Sequence, residues 1–494
     1  SLKDTNVYCN RELDMNQIKA VGFDMDYTLA QYHIEFDLLA YEGAKKKLVD
    51  WLGYPEKVLD LKYDRNISQR GCIIDRKRGN ILKLDQHRYV RAVNHGLTTL
   101  SHDQRKSIYR ESYQEAESFT GKEFSNIDTP FSLVDACLFA QLVDMKDSFA
   151  QLINLKESNI LFNSKSYIDI WQDLRRCLDR CHRDGAIKHI VAKDPAKYIV
   201  HDEKLFPMLK QLRSSGKKLF LLTNSLFDYT DVVMNYLEGG NNKAHSTNRD
   251  AKWMEYFDLI IVGGNKPAFL LDEGVLSLYK VNPNSGTLDI CLDIPRIPTQ
   301  PLSFLKQNGK IYQGGNAQIL HTLLEISSGK QLLYIGDHIF ADILRSKRSL
   351  GWSTCLIVPE LTLEVRKYSE TTGKYQELME LKHKQCDLEE KLDGYYRKGL
   401  TGEIEVECRE EYSALERELQ ELRGEIRERL VQYDAVFHTH WGQLFKAGFQ
   451  ESRILKQLRD YACLYTSKVS NISPYRTIRP VRDMMPHDHF IDRL

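Results

Sequence analysis

Asp24 and Asp26 stand directly behind the apolar run 20–23, in the string Asp24-Met25-Asp26-Tyr27-Thr28-Leu29. A carboxylate is ionised at neutral pH and needs no base to act as a nucleophile; to attack a phosphate ester it needs only a cation to cancel the repulsion. Asp24 at a strand tip suits that part, and Asp26 on the loop beyond suits protonation of a leaving oxygen and later activation of water. Alone, an Asp-x-Asp pair reads equally well as a turn with two solvated carboxylates. Three further strand ends argue against that. Thr223 and Asn224 follow the run 219–222 and offer a hydroxyl and amides to phosphate oxygens, or simply cap a helix. Lys266 follows 259–262 and precedes Pro267; it is a point charge for a phosphoryl group, or an ordinary surface lysine. Asp337 and Asp342 follow 332–335. Magnesium takes a few carboxylates, backbone oxygens and waters in octahedral array, which Asp24, the Asp26 carbonyl and Asp337 can supply. Asp342 is expected to orient those ligands rather than touch the ion. His338 reads as a structural loop residue.

These tips require a frame that brings them to one edge. The runs 20–23, 219–222, 259–262, 332–335 and 355–358 are β-rich, too short for core helices, and end in small or polar residues. The last four alternate with helical or mixed segments, which predicts an α/β fold: a doubly wound, mostly parallel sheet with helices on its faces and ligands at its carboxyl edge. No such run lies between 23 and 219, so an insertion is expected there. Residues 71–84 read as a hairpin turning at Gly79, and 100–189 as mainly helical. The expected division is a catalytic core at 1–92 and 190–360, a helical cap at 93–189, and a helical C-terminal region at 361–494. In that last region Leu415, Leu419 and Leu422 repeat at helical spacing among alternating charges. This suits a helical hairpin or short coiled coil, either packed on its own domain or making an oligomer contact.

The 494 residues, 42% of them hydrophobic, are enough for two or three units. Lys+Arg and Asp+Glu both number 69, so the balance suggests neither a nucleic-acid arm nor an anionic-membrane patch, and an anionic substrate must be caught by local charge. Ten cysteines without CxxC spacing suit free thiols in a reducing, cytoplasmic setting. No stretch approaches the ~18 uninterrupted apolar residues of a membrane helix, and the first ten residues have no apolar signal core, so a soluble protein is expected.

Asp-x-Asp, Thr, Lys and Gly-Asp-x4-Asp, each at a strand end and in that order, resemble the four motifs of the haloacid dehalogenase-like superfamily. That resemblance implies a Rossmann-like core with an inserted cap, and catalysis through an aspartyl-phosphate. DMDYTL, KPAFL, YIGDHIFADIL and the segment 441–448, with Met485-Pro486-His487 near the end, look more narrowly like the cytosolic purine 5′-nucleotidases that prefer IMP and GMP. The likeness implies a homo-oligomer, dimer or tetramer, that hydrolyses 6-oxopurine nucleoside monophosphates with Mg2+ and can pass the phosphate to another nucleoside. It also implies that Arg175, Asp179, His182 and Lys188 read the substrate, with Phe131 stacking on the base. Helical periodicity puts 175, 179 and 182 on one stripe, beside Trp171, Leu174, Leu178 and Cys181; an Arg175–Asp179 surface ion pair and a core Phe131 are the plainer readings. Arg348 keeps a basic residue where the family binds an adenine-nucleotide effector. Asp128 stands where a neutral asparagine is expected, which makes activation by ATP doubtful. The alternatives are the same chemistry on another nucleotide or a sugar phosphate, and a non-catalytic scaffold built on the C-terminal helices.

Overall fold

The computed structural model describes residues 6–109, 119, 121–150, 157–240, 251–271, 278–292, 305, 309–400, 406–472 and 477–478; the Met485-Pro486-His487 string lies outside them. A ten-stranded sheet forms the centre. Its order is Tyr8–Cys9, Leu464–Thr466, Ser353–Ile357, Leu332–Gly336, Ala20–Phe23, Lys218–Leu222, Leu259–Val262, Ile311–Gly314, Leu278–Val281 and Leu288–Leu292. Every neighbouring pair from Leu464–Thr466 to Ile311–Gly314 is parallel, while the strands at both edges are antiparallel. The predicted α/β class is therefore observed.

The apolar runs are continuous because both faces of the sheet are covered. Leu219, Leu221, Ile260, Val262, Leu333 and Ile335 pack into the core on one side. Phe220, Leu222, Leu259, Ile261, Leu332 and Tyr334 pack into the core on the other. A fully buried aliphatic side chain of this kind contributes about 1.5–3 kcal/mol. Gly22 makes the middle of the sheet possible, since a Cβ there would lie 2.0 Å from the Phe220 ring. From Ala20–Phe23 the chain adds strands outward on one side and later returns to the other side with Leu332–Gly336. The order thus reverses beside Ala20–Phe23, and a crevice opens there at the carboxyl ends of the strands.

The insertion differs from the sequence expectation. Instead of a hairpin within the core and a separate, mainly helical cap, strands Thr98–Thr99, Val90–His95, Asn80–Leu84, Ile73–Asp75 and Phe124–Asn126 form their own antiparallel sheet. A boundary at 92/93 would cut through its second strand. Val90–His95 and Phe124–Asn126 are only partly buried, so their sequences carry no continuous apolar run by which to find them. Helix Ile34–Leu52, expected in the core, packs instead against Tyr167–Arg183 and Phe131–Ala150 of the cap. Helix Tyr167–Arg183 starts at a capping box between Ser166 and Asp169 and buries Ile170, Trp171, Leu174, Cys177, Leu178 and Cys181.

The C-terminal region is not helical throughout: Leu464–Thr466 enters the main sheet beside Ser353–Ile357. Thr372–Leu400 and Val406–Phe437 form a helical hairpin that buries Leu378, Leu388, Leu419, Leu422 and Ile426 between them. Among the described residues no helix is long and apolar enough to cross a membrane.

Candidate active site

Asp24 leaves the tip of Ala20–Phe23 with its backbone N–H donating to the Ile335 carbonyl at 2.9 Å, which ties it to the neighbouring strand. The chain then turns sharply: Tyr27 has left-handed backbone (φ 54°), and the Thr28 and Ala30 amides both donate to the Met25 carbonyl. Asp26 is swung back beside Ser225, whose hydroxyl donates to its Oδ2 at 2.8 Å. The Tyr32 hydroxyl donates to its Oδ1.

Lys266 completes a buried charge cluster. Its Nζ lies 2.9 Å from Asp24 Oδ1 and 2.8 Å from Asp342 Oδ1, and it donates to the Tyr334 hydroxyl at 3.0 Å. Asn224 fixes the loop that carries the lysine, accepting from its backbone N–H at 2.6 Å and donating to its carbonyl at 3.1 Å. Thr223 is fully buried, and its Oγ1 accepts from the Ser225 amide at 3.1 Å. Asp342 is engaged at both oxygens, by Lys266 and by the His338 amide at 3.2 Å. Gly336 leaves room for it, since a Cβ there would lie 2.5 Å from the Asp342 side chain. The His338 ring itself caps the following turn, with Nδ1 accepting from the amides of Phe340 and Ala341.

The electrostatics follow from that packing. Burial pushes the Asp24 carboxyl up to about 7, with Lys266 pulling against it and Asp342 and Asp26 adding to the rise. Burial also raises Asp26, against hydrogen bonds from Tyr32 and Ser225. Asp337 is raised further by burial and by Asp24 and Asp342, with Arg70 opposing. Burial works against the charge of Lys266, but Asp24 and Asp342 outweigh it and hold its pKa well above the usual range.

Carboxylate oxygens of Asp24, Asp337 and Asp342 lie within 4.8 Å of one another. Three carboxylates against one ammonium leave an excess of two negative charges. Asp337 Oδ2 is buried without a hydrogen-bond partner among the described residues, a costly state for an acceptor. A hard divalent cation fits both facts, because it would balance the charge and use the orphaned oxygen.

Across the crevice, Phe36, Asp37, Ala40, Phe131, Val134, Asp135, Arg175, Leu178 and His182 line a cavity of about 250 Å³. It adjoins the cluster through rings: Phe131 lies edge-on to Tyr27 at 4.6 Å and to His182 at 5.9 Å, and Tyr27 is 5.1 Å from Tyr32, the residue that touches Asp26. Burial and Arg175 lower the His182 pKa, keeping the imidazole neutral. Lys188 does not line this cavity, but its charge acts on both Asp26 and His182; its Nζ is 5.8 Å from the ring of Tyr229, whose hydroxyl donates to that of Tyr32. Asp179 does not line the cavity. It pairs with Arg175 at 2.5 Å and lines a separate outer cleft with Gln172, Arg176, Arg180 and Arg183. Arg348 donates to the Tyr461 hydroxyl at 2.8 Å, and Asp128 is buried.

The structure thus brings together all seven residues read from the strand ends, and sets Phe131, Arg175 and His182 around one cavity. Sequence reasoning missed Tyr32, Ser225, Tyr334, Arg70 and Asp135. Tyr334 had a usable signal, since it sits two residues before Gly336 on a strand whose tip carries the acids. Asp135 had another, one helical turn beyond Phe131.

A model of the 5′ nucleotidase family matches residues 7–490. A 5′-nucleotidase domain-containing protein of Dictyostelium discoideum is 28% identical over 99% of this chain and 76% of its own length. 5′-Nucleotidase domain-containing protein 2 of Rattus norvegicus is 25% identical over 99% of this chain and 80% of its own. A beta-phosphoglucomutase structure from Pyrococcus sp. strain ST 04 aligns with 12% identity and a TM-score of 0.24, covering 69% of this chain and 86% of that one.

Proposed function

The chain belongs to the 5′-nucleotidase family, and from that premise we propose that it is a magnesium-dependent enzyme that hydrolyses purine nucleoside 5′-monophosphates, IMP and GMP foremost, through a phosphoaspartyl intermediate. The observation that carries the reading is the buried Asp24–Lys266 pair at 2.9 Å, set beside the unpartnered Asp337 oxygen. Asp24, Asp337 and the Asp26 carbonyl would hold the magnesium, whose charge would let two anions meet. Asp342 aligns Lys266 through its second ion pair.

Asp24 Oδ attacks the phosphorus and forms a P–O bond while the P–O5′ bond breaks, and Asp26 gives its proton to O5′ of the departing nucleoside. A raised pKa suits Asp26 to that donation. Asp26, now a carboxylate, takes a proton from water as the water oxygen attacks the same phosphorus, and the bond to Asp24 breaks to release phosphate. A nucleoside hydroxyl in place of water would give phosphotransfer. Lys266 faces the equatorial charge throughout, and the Thr223 hydroxyl can donate to a phosphate oxygen. The cavity at Phe131, Arg175 and His182 suits the base: an aromatic wall, a guanidinium for purine O6 and N7, and a neutral imidazole. In this reading the enzyme works in the cytosol as a homo-oligomer; the free thiols of the eight cysteines whose side chains are described, all buried but Cys386, fit a reducing compartment.

Phosphate release from IMP, GMP, AMP, CMP and ribose 5-phosphate is the test. Turnover should favour the two 6-oxopurines, stop with EDTA and vanish in Asp24→Asn. Equal rates on all five would remove the purine reading, and an active Asp24→Asn would remove the nucleophile.

A further inference from the structure

The base cavity contains two carboxylates, Asp37 and Asp135. Asp37 is committed: Oδ1 accepts from the Tyr27 hydroxyl at 3.0 Å, and Oδ2 from the Tyr63 hydroxyl at 3.2 Å and from Arg65 at 3.0 and 2.6 Å. Asp135 is not. Its Oδ2 accepts from Arg175 Nη1, while its Oδ1 has no hydrogen-bond partner among the described residues. The residue is only 7% exposed. It lies one turn beyond Phe131 on helix Phe131–Ala150, so one helix presents both the aromatic wall and an acceptor to the same cavity. At about 250 Å³ the space is below the roughly 300–1,000 Å³ of pockets that take whole ligands, and suits a base alone.

On the premise that the substrate is a purine nucleoside monophosphate, we propose that Asp135, not Asp179, is the acidic residue that reads the base, and that it selects guanine by accepting from N1–H and the 2-amino group. The Arg175–Asp135 pair sets a donor and an acceptor side by side. Guanine offers the complement: O6 beside N1–H, with the 2-amino group next along the edge. Hypoxanthine has O6 and N1–H but no 2-amino group, adenine has a bare N1 acceptor, and xanthine places a carbonyl at C2 where the carboxylate would repel it. A base filling the cavity would close Asp135 Oδ1 off from water, and an acceptor shut away without its donor is penalised in full, which makes the discrimination large. Asp179, on the outer side, steadies Arg175 and affects all bases that use it.

The test compares kcat/KM for GMP, IMP and XMP in the wild type, Asp135→Asn and Asp179→Asn. The wild type is expected to prefer GMP over XMP by roughly 10- to 100-fold, the size of one or two hydrogen bonds to a charged group. Asp135→Asn should lose most of its preference for GMP over both IMP and XMP. Asp179→Asn should lower GMP and IMP together. Ratios within one preparation do not depend on how much of a variant is folded, and the wild-type comparison of GMP with XMP needs no variant. If GMP and IMP are turned over but their ratio follows Asp179 and ignores Asp135, or XMP matches GMP, the assignment is overturned while the nucleotidase reading stands. If the wild type hydrolyses no purine monophosphate, both fall.

Discussion

Replacing Lys266 by methionine keeps an unbranched side chain one atom shorter and removes the charge, and the structure sets the size of the effect. Nζ stands 2.9 Å from Asp24 and 2.8 Å from Asp342, with the lysine and Asp342 side chains only 3% and 1% exposed. This is not the surface kind of ion pair, worth up to ~1 kcal/mol. Removing one partner of a buried pair costs roughly 3–5 kcal/mol, because the remaining charge is stranded. Here two carboxylates are stranded beside a third, Asp337. Added magnesium offsets part of that cost, so the variant should melt several degrees lower than the wild type in EDTA and recover more than the wild type when magnesium is restored. Lys266 also draws the Asp24 pKa down against burial, which together leave it at about 7. Without the lysine Asp24 titrates higher, fewer molecules present the anion at neutral pH, and the acid limb of kcat/KM moves to higher pH. In the proposed mechanism the ammonium faces the phosphoryl group, so its loss should lower kcat by about 10²- to 10³-fold, the range for one oxyanion donor. Phosphate release as a function of pH, with melting curves in EDTA and in magnesium, measures all three effects. A variant within about threefold of the wild type in kcat, with an unmoved acid limb, would refute the reasoning.

Gly336→Ala should slow turnover by at least about tenfold, since its Cβ would displace Asp342 from Lys266 and small misplacements at a reacting centre are costly; an unchanged kcat would contradict that packing. Asp337→Asn should raise the magnesium needed for half-maximal activity, yet the metal-free variant should melt above the metal-free wild type, because one of three crowded acids is neutralised. A lower melting temperature in EDTA would argue against the crowding. Glu364 lies where the cap sheet meets the C-terminal region; burial pushes it from 4.5 up to about 7, with the Leu444 amide and Lys83 opposing, and its Oε2 has no partner among the described residues. Between those two pH values the folded protein keeps a proton that the unfolded chain has released, so this stability is present below the lower value and lost as pH rises through the higher, by roughly 3 kcal/mol. Glu364→Gln should flatten that slope in denaturation measured from mildly acid to mildly alkaline pH, and a slope equal to the wild type's would show that another group causes it.

The strand ends were legible because burial on both faces writes the same message at every position. Leu219 and Leu221 enter one core, Phe220 and Leu222 the other, and the first residue that fits neither core is where the chemistry begins. The strand Leu464–Thr466 was not legible, since three residues ending in a threonine carry too short a signal. The antiparallel cap sheet was hidden for the opposite reason: its half-exposed strands mix polar and apolar residues, and the helices that follow dominate the pattern. Tyr32 and Tyr334 act through hydroxyls whose partners, Asp26 and Lys266, are set by the register and turns of strands far apart in sequence.

The stripe of Arg175, Asp179 and His182 shows where periodicity stops short of a site. At about 100° per residue, Asp179 lies about 40° to one side of Arg175, while His182 and Leu178 lie about 20° and 60° to the other. Periodicity counts the first three as one face. The fold divides that face at Arg175: Leu178 and His182 turn into the cavity beside Phe131, and Asp179 turns out with Gln172, Arg176, Arg180 and Arg183. What decides the division is helix Phe131–Ala150, which packs against Tyr167–Arg183 and brings Asp135 to the inner side of the guanidinium. A helix wheel can say which residues share a face, but the element laid against it decides which edge of that face becomes a pocket. Here that neighbour brings Asp135 to the cavity side of Arg175, where the helix's own Asp179 does not reach.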